Sequence, residues 1–207
     1  PSVMEVLRVL PRGGEPIDAL RAAVTVMGME DDDAFNFSRD ALLERSIRLT
    51  GAMATMLAAF DRLRHGKEPV EPDPSLGHAA NFLYMLRGER ASELQERAMD
   101  AYLVLLAEHS MNASTFSARV TLSALSDIYS AVSSALGTLK GDAHGGANRR
   151  AMEMLLAIGS ADKAEAYVEE SLRIKRRLMG LGHRIYKTRD PRVDHLMGYS
   201  EKVAAEK

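Results

Sequence analysis

Cysteine is absent from the 207-residue chain, so neither a disulfide framework nor a thiolate metal site can form. Proline is scarce. Its seven residues stand at positions 1, 11, 16, 69, 72, 74 and 191, which leaves Ser75 to Asp190 open to long helices. An excess of charge of either sign is also missing: the formal balance is −2, and no global field favours nucleic acid or an anionic membrane surface. No apolar run approaches the roughly 20 residues that span a bilayer. The N-terminal PSVMEVLRVLPRGG carries charge too early, and too short an apolar part, for a signal peptide. These absences together predict a protein of the cytoplasm, with no nucleic acid and no membrane among its partners. Pro1 opens the chain without an initiator methionine, which points to processing or truncation.

What is present is the vocabulary of helices. Ala, Leu, Met, Glu and Arg abound, aromatics make up 5%, and an apolar content of 46% supports a substantial core. Between Arg39 and His65, the residues Leu43, Ile47, Met53, Leu57 and Phe60 recur at spacings near three and four, with charges between them. That spacing predicts a helix, ended by the proline-rich loop Lys67 to Pro74. Further helices are expected over 75–88, 92–108, 115–138, 147–159 and 163–179. Ser92 and Gln95 form a candidate capping box for the second of these. No alternating strand pattern of useful length and no fixed-period repeat occurs, so the expected fold class is all-α. The stretch from Ala118 to Lys140 is rich in Ala, Ser and Gly, which suits either a subunit contact or a tightly packed internal helix.

Two of the six histidines sit among glycines, in GDAHGGAN (141–148) and GLGHRIYKTRDPR (180–192). Glycine lets backbone approach a ligand closely and leaves N–H groups beside the imidazole. Known motifs are quickly excluded. HGGA lacks the G-x-S-x-G elbow that would make it an esterase loop, and GLGHRI lacks the third glycine of a dinucleotide fingerprint. No H-E-x-x-H spacing supports a metal site. The run Arg173 to Arg177 reads as a solvated helix face. Lys187 and Arg192, beside His183, suit an anionic ligand better, because arginine offers a two-point fork for a carboxylate and lysine a point charge.

GDAHGGAN, GLGHRIYKTRDPR and AEHSMNASTFSARV (107–120), in this order, resemble signatures of the citrate synthase family. EPIDALRAAVTVMG (15–28), HAANFLYMLRG (78–88) and LSDIYSAVSSALGTLKG (125–141) resemble further stretches of it, so the likeness covers essentially the whole chain. It implies an all-α homodimer with a large helical domain, here 1–145, and part of a smaller one, here 146–207, the active site lying in the cleft between them. It also implies condensation of acetyl-CoA with oxaloacetate to citrate and CoA, with no cofactor beyond the CoA thioester substrate. By motif, His144 would hydrogen-bond the thioester carbonyl and His183 would polarise the oxaloacetate ketone. His109 and Arg192 would hold oxaloacetate, and Leu181, Gly182 and Lys187 would lie near CoA. The physics is consistent with such roles: a thioester methyl is a very weak acid, so the developing oxyanion needs a fixed donor in a dry site.

The chain departs from the family pattern in places. Asp142-Ala143 stand where Pro-Leu is usual, Arg149 where an acidic residue is common, and Ser110 where a glutamate is frequent. The family's aspartate base belongs to a motif downstream of Arg192 that these 207 residues do not include. Two alternatives follow: a 2-methylcitrate synthase using propionyl-CoA, or a catalytically incomplete unit that only binds and dimerises.

Overall fold

The computed structural model describes residues 2–181 and 188–206. Among these residues the chain is all-α, without strands. Its helices are α1 (Ser2–Val9), α2 (Pro16–Met29), α3 (Arg39–Arg64), α4 (His78–Arg87), α5 (Glu93–Leu106), α6 (Ala113–Ser123), α7 (Ile128–Leu139), α8 (Gly146–Ile158), α9 (Ala164–Arg173) and α10 (Arg192–Ala205), with a 3-10 turn at Ala161–Lys163. The chain divides into two compact units, one of Pro1–Gly137 with Pro191–Lys207 and one of Thr138–Asp190. No helix among the described residues is long and apolar enough to cross a membrane.

The larger unit is built around α3, which packs against α1, α2 and α4; α4 in turn packs on α5, and α5 on α10. Leu7, Leu20, Val24, Leu49, Met56, Phe60, Leu63 and Tyr129 form the buried centre. Each such side chain contributes about 1.5–3 kcal/mol when fully removed from water. The apolar stripe expected on α3 is only partly the buried one. Phe60 is buried and Met53 and Leu57 pack against the core, but Leu43 and Ile47 are 56% and 66% exposed.

The inward position near the start of α3 goes instead to Arg45, only 6% exposed. Its Nε donates to Asp31 Oδ2 at 2.8 Å, and its Nη1 donates to the Asn36 carbonyl at 3.1 Å. A third donor reaches the Asp33 carbonyl. Asp31 Oδ2 also accepts from Arg48 at 2.9 Å and from the Tyr129 hydroxyl at 2.6 Å. Arg48 donates to that same hydroxyl and lies over the Tyr129 ring. The Arg45 guanidinium, then the Tyr129 hydroxyl, hold the Asp31 carboxyl far below its ordinary range. Both carboxylate oxygens of Asp31 accept hydrogen bonds, so a buried charge is tolerated beneath the α2–α3 loop.

Local chemistry sets the helix ends. Ser92 Oγ accepts from the Gln95 amide at 3.3 Å, but the Gln95 side chain donates to Glu206 at 3.2 Å instead of turning back, so only half of the capping box forms. The single helix expected over 115–138 is two. Leu125 adopts φ 60°, and Asp127 accepts from the Ser130 amide at 2.9 Å and the Ser130 hydroxyl at 2.7 Å, starting α7 afresh. The small-residue stretch accordingly divides: Ala131 and Leu136 of α7 are buried within the chain, whereas no residue of α6 is.

In the smaller unit, α9 ends at Arg173, six residues before the expected end. Lys175 takes the left-handed position (φ 55°) that glycine usually fills, and the Arg176 amide donates to the Ser171 carbonyl at 2.7 Å. An apolar cleft lined by Ala151, Leu155, Ile158, Val168, Leu178 and Leu181 lies within this unit. Ser171 is its only buried residue among those described.

Candidate active site

The stretch GDAHGG is a turn closed on itself. The His144 and Gly146 amides both donate to the Gly141 carbonyl, at 2.9 and 3.1 Å. The Ala147 amide donates to the His144 carbonyl at 3.1 Å, and the Asn148 amide to the Gly145 carbonyl at 3.2 Å. His144 is half-buried and stands two residues before α8. Its glycine neighbours are required by the packing of the chain on itself. A Cβ at 145 would lie 2.6 Å from Leu139 Cδ1 and 2.7 Å from the Leu139 carbonyl oxygen. One at 146 would lie 2.8 Å from the carbonyl oxygens of both Lys140 and Gly141. The glycines let the chain approach itself.

This closure narrows the set of N–H groups left beside the imidazole. The amides of 146, 147 and 148 are spent on the turn's own carbonyls. The turn also stands at the positive end of the α8 dipole, which favours negative charge there.

The departures at Asp142 and Arg149 find partners here. Arg150 donates to Asp142 through Nη2 at 3.1 Å and Nε at 3.4 Å, which holds the Asp142 carboxyl below its ordinary range. Arg149 pairs with Glu153 at 3.4 Å.

His109 precedes α6 in the larger unit and is half-buried. The backbone around it is fixed by polar groups. Ser110 has φ 53° and donates its amide to the Glu108 carboxylate, and Asn112 caps α6 by accepting from the Thr115 amide at 2.9 Å. Arg192 opens α10 in the same unit and is also half-buried, so the D-P-R turn is a helix start with Pro191 at its N-cap. Leu181, in the smaller unit, is 70% exposed. Gly182, His183 and Lys187 lie outside the described residues. Of the basic run, Arg173 pairs with Glu170 at 2.6 Å and Arg176 lies over the Tyr167 ring, as befits a solvated face.

The model of the family described as "Citrate synthase, C-terminal domain" matches residues 1–207, and the chain belongs to the citrate synthase family. It is 47% identical over 199 residues to a citrate synthase of Deinococcus radiodurans, covering 96% of this chain and 53% of that protein. A 2-methylcitrate synthase of Mycobacterium tuberculosis is 39% identical over 204 residues, covering 98% of this chain and 51% of the relative. Among solved structures, the ternary complex of carboxymethyl coenzyme A and oxaloacetate with citrate synthase from Thermoplasma acidophilum matches with a TM-score of 0.89 at 31% identity. That match covers 100% of this chain and 54% of the other. The chain thus spans about half the length of the relatives it matches.

Proposed function

We propose that this chain carries substrate-binding and catalytic groups for a citrate synthase-type condensation of acetyl-CoA with oxaloacetate. The likeness of the whole chain to an enzyme crystallised with a CoA analogue and oxaloacetate supports this reading best. In it, the acetyl methyl carbon loses a proton and bonds to the ketone carbon of oxaloacetate, whose oxygen takes up a proton. Water then cleaves the thioester, releasing citrate and the CoA thiol. His144 donates to the thioester carbonyl as negative charge develops on it. His183 donates to the ketone oxygen, and His109 and Arg192 hold the dicarboxylate by charge and hydrogen bonds. Leu181, Gly182 and Lys187 border CoA, and a general base takes the proton of the methyl.

The test is oxaloacetate-dependent release of CoA thiol, measured with acetyl-CoA and with propionyl-CoA. Faster release from acetyl-CoA is expected. Faster release from propionyl-CoA would favour the 2-methylcitrate synthase reading, for which the 39% identical relative speaks; one methylene is worth only about 1–3 kcal/mol in a pocket. Release by a C-terminally longer protein, with none by the 207-residue chain, would mark this chain as a binding unit that lacks its base.

The proposal extends to a cytoplasmic homodimer. Neither α5 nor α6 has a fully buried residue, and together with the turn that follows they expose Tyr102, Val104, Phe116, Val120 and Leu125. Faces of that composition seek a partner. Sedimentation is expected to return twice the chain mass of 22.7 kDa, and Phe116→Glu, at a site 61% exposed in the single chain, to return one chain mass without loss of helix content.

A further inference from the structure

We propose that the Asp142–Arg150 ion pair positions His144, by clamping the turn that carries the imidazole to the second turn of α8. The inference rests on the reading of His144 as the donor to a substrate carbonyl.

The turn is closed on one oxygen. The Gly141 carbonyl accepts from both the His144 amide and the Gly146 amide, so the turn hinges on the orientation of the peptide that joins residues 141 and 142. Asp142 is attached to that peptide. Its two carboxylate oxygens take two donors of one guanidinium, Nη2 at 3.1 Å and Nε at 3.4 Å, an arrangement that fixes direction as well as distance. Arg150 is itself held, because its Nη1 donates to Glu153 Oε2 at 3.4 Å and Glu153 Oε1 meets Arg149 Nε at 3.4 Å. Two acids and two bases thus run as one network from the turn along α8.

The side chains of Asp142 and Arg150 are 64% and 45% exposed, and pairs so exposed contribute little to global stability. The effect of this one is local. The turn contains Gly145 and Gly146, the residue type with the widest backbone freedom, and the pair ties down the segment just before them.

The experiment is a double-mutant cycle of Asp142→Asn and Arg150→Gln with two readouts. Amide hydrogen exchange at His144 and Gly146 is read on the 207-residue chain itself, whatever its turnover. Each single variant is expected to speed that exchange about tenfold, with the double variant no faster than either single, since partners in one network are not additive. Arg150→Lys, which keeps the charge and loses the fork, should fall between. Exchange at the wild-type rate in the single variants, or factors that multiply in the double, would overturn the clamp. The second readout is CoA release by a protein of the relatives' full length. There kcat should fall about tenfold in each single variant, with the KM for oxaloacetate held within about twofold. If His144→Ala abolishes release but the clamp variants do not slow it, the positioning role is overturned and the reading of His144 stands. If His144→Ala leaves release unchanged, the reading of His144 falls, and the exchange data alone decide whether the clamp exists.

Discussion

Replacing His144 by alanine is expected to lower oxaloacetate-dependent CoA release about 10²–10³-fold, the loss typical of removing one donor from a developing oxyanion. The magnitude follows from the backbone of the turn. The amides of 146, 147 and 148 are engaged by the carbonyls of 141, 144 and 145, so none of these three takes over when the imidazole is lost. The fold should be indifferent to the change. The hydrogen bonds that close the turn use the His144 backbone, which alanine retains, and the unfolding midpoint should stay within a degree or two, as expected for a substitution away from any core. The measurement is thiol release at saturating oxaloacetate, paired with thermal unfolding of the same preparation. Turnover within a factor of about three of the parent protein would remove His144 from the chemistry, because so small a change corresponds to less than the worth of an ordinary hydrogen bond.

The largest loss of stability is expected far from that turn, at Asp31→Asn. The substitution keeps the shape of the side chain and removes its charge, leaving buried Arg45 with only the exposed Asp33 carboxylate, at 3.3 Å, as counter-ion. Breaking a buried pair at one partner costs about 3–5 kcal/mol, and the lower figure applies here because Arg48 keeps one side of the knot half open to water. Urea unfolding of the two proteins gives the difference directly. The pH dependence has a fixed sign. The folded carboxyl of Asp31 is held well below its ordinary range, so on acidification the unfolded chain takes up the proton first. The stabilisation is therefore complete above the ordinary carboxylate value of about 4 and is lost progressively as the pH falls below it. Asp31→Asn should flatten the stability curve in that acid window, while the two proteins should differ by a constant amount from about pH 5 to 8. Parallel losses of stability below about pH 4 would show that the carboxylate contributes nothing through its charge.

Much of the helical framework was legible because it rests on local chemistry. A proline-free stretch of strong helix formers became α4 to α9, and the Ser92 cap falls where its spacing to Gln95 put it. The helix ends that differ from expectation are those where side chains act as backbone partners. Asp127 looks like one polar residue inside a helix, but its carboxylate caps the Ser130 amide and begins a new one. Lys175 ends α9 in a conformation that nothing in its identity announces, since glycine is the usual occupant. Arg45 was invisible as a core residue, because what makes it buriable is Asp31, fourteen residues back, and Tyr129, whose hydroxyl reaches that same aspartate from 98 residues away. The site shows the same division. The histidine-bearing motifs could be read as words, and the family they spell is the one the chain belongs to. The physical need for glycine at 145 and 146 could not be read that way, because it depends on where Leu139, Lys140 and Gly141 place their atoms.

That crowding reverses what glycine usually brings to a loop. Gly145 and Gly146 give up more conformational entropy on folding than any other residue type would, and nearby carbonyl oxygens leave no room for a Cβ at either position. The ordering cost is met when the chain folds, before any ligand arrives. A donor mounted on such a turn is preorganised: charge can build on a carbonyl oxygen in front of it without the backbone having to rearrange, and the reorganisation energy that water would exact at that moment is avoided.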